Sequence, residues 1–366
     1  MKVAAPRIRL CACADTFGLS GVSLSPLSHL LSDRCTGELR CLQAELGARH
    51  SFREAKRLLD TFLPCSPPNH ASVRNRLHRV AGRIEAVEAA LLPAPAVPGR
   101  RKACGEIVVM IDGAHLRAVP AHHSRHLDVT VGKVEIAGRV PRRFALAPLG
   151  AEQPAQAVRA ALVSQGWQSG RPVTVISDGE PALLNLVRAA TSEPVCHILD
   201  WWHISMRVRH IEQALAGIYA LRPTYQAGLD YISVDVERLR HLIWNGYADE
   251  AGQALWALTH LASEAIYLNG EHFGPAVRQF LLHCQELRTY LANNESALID
   301  YSTRYRARRP ISSSRAEGSV AEIANARMAK RLRMRWSPRG AHCVATVRAA
   351  VLDGRLHDLT STRLAA

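Results

Sequence analysis

Three aspartates each close a short run of apolar, β-prone residues: Asp112 in EIVVMID, Asp178 in PVTVISD and Asp200 in PVCHILD. In α/β sheets, reacting groups gather where strands end and loops converge. Carboxylates brought together repel one another unless a cation lies between them. Such a cluster therefore suits Mg2+ or Mn2+ held by oxygen ligands. Asp112 and Asp178 are each followed by glycine, in IDGAH and SDGEP, which allows a sharp turn beside the acid. A single Asp-Gly pair usually makes only a turn; two of them, each closing a β run in one basic chain, say more. His203 follows Asp200 by three residues in DWWH, and the same pair could simply cap the next helix. Glu317 and Glu322 lie in ISSSRAEGSVAEIANARMAKRL. Ser314-x-x-Glu317 and Ser319-x-x-Glu322 are both capping-box patterns, so local sequence cannot choose either glutamate as a metal ligand.

The elements needed to position these groups can be read from the hydrophobic pattern. EIVVMID, HLDVTVGKVEIAG, RRFALAPL, PVTVISDG and PVCHILD read as strands, and QPAQAVRAALVSQ and EPALLNLVRAA as helices between them. Strands first joined as hairpins, then alternating with helices, predict an α/β domain with a mixed sheet. From Trp201 to Ile299 apolar residues recur at three- and four-residue steps, which predicts an all-helical block over 204–300. Upstream, AALLPAPAVPGRRKACG with Pro93, Pro95 and Pro98 reads as a linker. Before it, SFREAKRLLDTFL opens on Ser51 with Glu54 three residues on, a capping box. ASVRNRLHRVAGRIEAVEAALL then places Val73, Leu77, Val80 and Ile84 on one face and Arg74, Arg76, Arg79 and Arg83 elsewhere. Two helices across a short turn, the second basic, match a helix-turn-helix over about 51–92 as well as they match an ordinary helical hairpin. The expected division is 1–98, 99–203, 204–300 and 301–366.

Composition narrows the partners. The chain has 366 residues, with 46 Lys/Arg against 32 Asp/Glu, a net of +14. That balance favours a polyanion, nucleic acid first. Aromatics at 5% argue against a base-stacking platform for single strands. The charge is uneven: 204–300 holds seven Lys/Arg and eleven Asp/Glu, a net of −4, whereas 301–340 holds eleven Lys/Arg and two Glu, a net of +9. The expected phosphate-binding surface is therefore a basic helix bearing Arg327, Lys330, Arg331, Arg333 and Arg335. Nine cysteines without a C-x-x-C pair predict reduced thiols rather than a disulfide frame or a full zinc site. Cys11 and Cys13 read as loop thiols, with half of a metal knuckle as the alternative. No signal peptide or membrane-spanning run is expected.

In order, IDGAHLRA, VISDG, LDWWH, a long helical stretch, AEG and RMRWSPRGA resemble bacterial insertion-sequence transposases of the Kra type, members of the DDE class. The resemblance covers roughly 24–355; the ordered set is specific, while each motif alone is weak. It implies an RNase H-like catalytic domain with a large all-helical insertion, preceded by a helical DNA-binding region. It implies Asp112, Asp178 and Glu317 as the catalytic and metal-holding carboxylates, with two Mg2+ or Mn2+ ions. Asp200 and His203 match an accessory C/D-x-x-H signature. The implied activity is metal-dependent cleavage and strand transfer of double-stranded DNA by a homo-oligomer in the bacterial cytoplasm, associated with the nucleoid. The rivals are a catalytically silent or domesticated DNA-binding relative and a structure-specific RNase H-like nuclease.

Overall fold

The computed structural model describes residues 8–9, 23–24, 35–63, 69–90, 105–221, 226–269, 274–328 and 334–360. Cys11, Cys13, Pro93, Pro95, Pro98, Lys330, Arg331 and Arg333 lie outside the described residues, as do the side chains of 315–317. The chain opens with a two-residue ladder of β1 (Ile8–Arg9) and β2 (Ser23–Leu24). Three helices follow: α1 (Gly37–Arg49), α2 (Phe52–Phe62) and α3 (His70–Ala90). Thr36 and Ser51 cap the first two, Ser51 Oγ accepting the N–H of Glu54 at 3.2 Å.

The centre is a mixed α/β unit. Strands β3 (Ile107–Arg117), β4 (His126–Glu135), β5 (Arg142–Leu146), β6 (Val173–Ser177) and β7 (Cys196–Leu199) form one sheet in the order β5-β4-β3-β6-β7. Only β4 runs against the others. Helix α4 (Pro154–Ser164) precedes β6, and α5 (Pro181–Thr191) joins β6 to β7. After β7 come four long helices, α6 (Trp201–Leu221), α7 (Gln226–Trp244), α8 (Ala248–Asn269) and α9 (Gly274–Asn293). The chain then returns through α10 (Tyr301–Arg306), α11 (Ser314–Val320), a π-helical turn Ala321–Asn325, α12 (Ala326–Met328), α13 (Pro338–Leu352) and α14 (Leu356–Thr360).

Strand β3 organises three cores, because successive side chains point to opposite faces of a sheet. Ile107, Val109 and Ile111 face α4 and α5. On the other face, Val108 and Met110 pack into the core of α6–α9, with Ile204, Val208, Ile211 and Leu239. Farther along that face, Ala114, Leu116 and Ala118 enter a second core with α1, α3, α12 and α13. Asp112 falls between the two.

The expected separation of an N-terminal domain does not hold for the core. Leu77, Val80, Ala81 and Ile84 of α3 share one apolar cluster with Leu116, Leu127, Val344 and Val347. The reason lies in α3, whose apolar stripe meets α13 rather than closing on α1 and α2 alone. Among the described residues, no helix is long and apolar enough to cross a membrane.

Candidate active site

Strand register brings the three aspartates into one row. Met110 pairs with Ile176 across β3 and β6, and Ile176 pairs with Ile198 across β6 and β7. Asp112, Asp178 and Asp200 each lie two residues beyond that row, at the carboxyl ends of the parallel pairings. Asp178 and Asp200 follow the last residues of their strands. Asp112 does not end its strand, contrary to the sequence expectation. β3 runs on to Arg117 because β4 stays paired with it, Asp112 opposite Val131 and Leu116 opposite Leu127. What ends at Met110 is the pairing with β6.

The two Asp-Gly pairs differ in cause. Gly179 has φ +90°, a conformation that requires glycine, and a Cβ there would also press on the side-chain amide of Asn294. Gly113 lies within β3, and a Cβ would make only an ordinary 3.7 Å contact with Glu180 Oε2.

Environment then separates three acids of equal register. Asp112 is half-buried and its Oδ1 accepts the Gly113 N–H at 2.7 Å. Burial pushes its carboxyl above the ordinary range. The Gly113 bond and His203 pull it back, while the charges of Asp178 and Asp200 push it further up. Asp178 accepts the N–H of Glu180 at 3.0 Å, and its carbonyl accepts the hydroxyl of Tyr290 from α9 at 2.9 Å. Among the described residues, no side-chain donor bonds either carboxylate. Asp200 is different. It is fully buried and takes the N–H of Trp202 at 2.9 Å, the N–H of Ser313 at 3.1 Å and the hydroxyl of Ser313. It caps α6, as local sequence allowed, and also reaches across to the residue before α11. His203 Nε2 stands 3.7 Å from Asp200 Oδ2, a buried nitrogen without a hydrogen-bond partner among the described residues.

Helix α11, which carries Glu317, packs on β3 and β4. The expected Ser319-x-x-Glu322 capping box does not form there, because Ser319 lies inside a helix rather than ahead of one; the Glu317 side chain of the other lies outside the described residues. The helix starts at Ser314, so Ser314 is its first residue rather than its cap. Ser319 is buried inside the helix and accepts Arg143 Nε from β5 at 3.3 Å. The π-helical turn that follows offers the Glu322 carbonyl to the Arg348 guanidinium. Such turns commonly mark functional sites.

Glu180 and Tyr290 join this corner without having been singled out from the sequence. Burial pushes the Glu180 carboxyl up and Asp178 and Asp128 add to the push. The SDGEP motif contained that signal. Tyr290 had none, because its approach to Asp178 spans 112 residues. Arg207 of α6 stacks on the Tyr290 ring, 4.2 Å from its centre.

The expected DNA-binding residues divide. Arg74 and Arg79 are exposed on α3, and Arg335 is exposed beside Trp336. Arg76 is half-buried and donates to Gln43 of α1. Arg327 contradicts expectation. It is 2% exposed, donates to the Gly47 carbonyl at 3.3 Å and Met334 Sδ at 3.0 Å, and lies over the rings of Phe52 and Trp336. An arginine so enclosed is interior packing rather than a phosphate contact. The basic helix is described as helical only as far as Met328, and Arg335 is not in a helix.

The donor set at the row is carboxylate oxygen, which suits a hard divalent cation. Among the described residues, no three His, Cys, Asp or Glu side chains are grouped closely enough to hold one. Asp112 and Asp178 are two such side chains, and α11 packs on the strand of Asp112. The cysteines described, Cys35, Cys41, Cys196, Cys284 and Cys343, are free thiols. Neither protein-family models nor the curated proteins contain a match to this chain.

Proposed function

We propose that the chain is a DDE-class DNA transposase with an RNase H-like catalytic domain, Asp112, Asp178 and Glu317 being its catalytic carboxylates. The observation that carries this reading is the register. Asp112 and Asp178 each lie two residues beyond the last pair of the neighbouring parallel strands β3 and β6, and the helix bearing Glu317 packs on the strand of Asp112. The strand order, with β4 alone reversed, and the four-helix block between β7 and α11 support the fold assignment.

Phosphodiester cleavage requires a water or a 3′-hydroxyl to attack phosphorus while the opposite oxygen leaves with its electron pair. A divalent ion, when bound, supplies Lewis-acid stabilisation of charge on those oxygens. Asp112, Asp178 and Glu317 would hold it. Asp112 is poised for this. Burial and two neighbouring acids disfavour its charge in isolation, so a cation between the acids removes a standing repulsion. His203 stands at the same corner, its buried Nε2 3.7 Å from Asp200 Oδ2, and would reach a phosphate oxygen only by turning its ring outward. Arg74, Arg79 and Arg335 would hold duplex backbone by charge.

The test is a nicking and strand-transfer assay on duplex DNA flanking the protein's own coding sequence, with and without Mg2+ or Mn2+. Metal-dependent 3′-hydroxyl ends and joined products are expected. Duplex binding without cutting in either metal would favour a catalytically silent DNA-binding relative.

A further inference from the structure

Asp200 shares the register of Asp112 and Asp178, yet its oxygens are already committed. Oδ1 accepts two backbone N–H groups, from Trp202 and Ser313, and Oδ2 accepts the Ser313 hydroxyl. Both Asp200 and Ser313 are buried, at 0% and 1% exposure. A buried carboxylate whose two oxygens already accept three donors has little left to offer an ion. Its partners, by contrast, are informative. Trp202 lies in the first turn of α6, where the insertion begins. Ser313 is the last residue before α11. The two are 111 residues apart in sequence, and one side chain fastens both to the end of β7. A backbone bond from Trp201 N–H to the Ile311 carbonyl, 3.1 Å, runs alongside.

We propose that Asp200 and Ser313 form a latch that fixes the head of α11, and with it Glu317, against the end of β7 and the first turn of the insertion. Asp200 and Ser313 are then positioning residues rather than metal ligands. The role of Glu317 rests on the function proposed above; the latch itself rests on the contacts alone. The geometry also joins the insertion to the glutamate-bearing helix, since anything that moves the start of α6 moves the group that holds α11. Arg143 on Ser319 secures the far end of the same helix, and the Asp200 bonds hold the residue before its first turn.

Two variants separate latch from ligand. Ser313→Ala removes the hydroxyl and leaves Asp200 Oδ2 buried without its donor. Asp200→Asn removes the charge but keeps the latch: the amide oxygen accepts both N–H groups and the amide nitrogen donates to Ser313 Oγ, the last bond reversed. Hydrogen exchange of the full-length protein at amides 314–320 is expected to accelerate about tenfold in Ser313→Ala, the factor one lost charge-assisted hydrogen bond carries. Amides of α6 and α9 should be unchanged, and Asp200→Asn should stay near wild type at 314–320. Well below the melting temperature, the Mn2+ concentration for half-maximal DNA nicking should rise about tenfold in Ser313→Ala and stay near wild type in Asp200→Asn. Wild-type exchange at 314–320 in Ser313→Ala would overturn the latch. Faster exchange with an unchanged Mn2+ requirement would overturn its link to Glu317. Loss of the Mn2+ response in Asp200→Asn would make Asp200 a ligand after all. If the wild-type protein nicks no DNA, the proposed function fails and the exchange arm still decides the latch.

Discussion

Two cores meet on the Asp112 face of the sheet, and they are made of different residues. On the insertion side, Ile204, Val208, Ile211, Leu239, Leu255, Phe280 and Leu287 fill the space among α6–α9. The charges of that block lie outside, in exposed pairs such as Arg209–Glu212 at 3.3 Å. On the other side, the core of α1, α3, α12 and α13 is threaded by guanidiniums. Arg327 and Arg348 are buried, and Arg348 donates to the carbonyls of Ala48 and Glu322. Burial lowers both guanidiniums to about 10. Around them, Glu85 binds Arg339 and His342, and Asp353 binds Arg143. The net positive charge of the C-terminal part is thus partly internal structure. Arg304 and Arg309 are likewise spent on Glu106. A buried arginine bonded to carbonyls ties together segments distant in sequence, here α1 with the turn after α11. A purely apolar core does the same for neighbouring helices without orientation-specific bonds.

That contrast can be broken at several points. The largest effect is expected in the apolar core: Phe280→Ala should cost about 3–5 kcal/mol, seen as a lowered denaturant midpoint with little pH dependence. Arg327→Ala should cost about 2–4 kcal/mol through lost packing and ring contacts. It should leave the salt slope of duplex binding unchanged; a slope reduced by one would return Arg327 to the DNA surface. A smaller effect belongs to Glu85. Burial opposes its ionisation, but hydrogen bonds from Arg339 and His342 outweigh it and hold the carboxyl at about 2, below the ordinary 4.5. Its folded value being depressed, its contribution is complete above pH 4.5 and fades as pH falls towards 2. With partly exposed partners this amounts to about 1 kcal/mol. Glu85→Gln should remove that part of the acid limb from a stability–pH curve, and an unaltered curve would discount the pair. The smallest structural effect is expected at Arg74 and Arg335. Replacing each with Ala should change stability by less than about 0.5 kcal/mol. Each should lower the log–log salt slope of duplex binding by about one.

Much of the sheet was legible because its strands are apolar runs ended by polar turns. The pattern in PVTVISD and PVCHILD marked β6 and β7 and delivered Asp178 and Asp200 at their ends. The same signal misplaced Asp112. Alternation through His115, Leu116 and Arg117 is only half apolar, and its continued pairing depends on β4, a partner that local sequence does not show. The helical periodicity of 204–300 was legible for the same reason as the strands. Long-range bonds were not. Nothing near Ser313 announces Asp200, and nothing near Arg327 announces Gly47 and Phe52. A count of positive charge reports how many guanidiniums a segment carries, and only the fold decides which of them meet water.

The central claim is that Asp112 and Asp178 hold a divalent cation for phosphodiester cleavage. The most direct measurement compares wild type with Asp112→Asn for Mn2+-dependent nicking of duplex DNA flanking the protein's own coding sequence, at matched DNA occupancy. The account predicts nicking by the wild type that falls by about three orders of magnitude or more in the variant, with duplex affinity kept or slightly raised. Nicking by Asp112→Asn at the wild-type rate would contradict it.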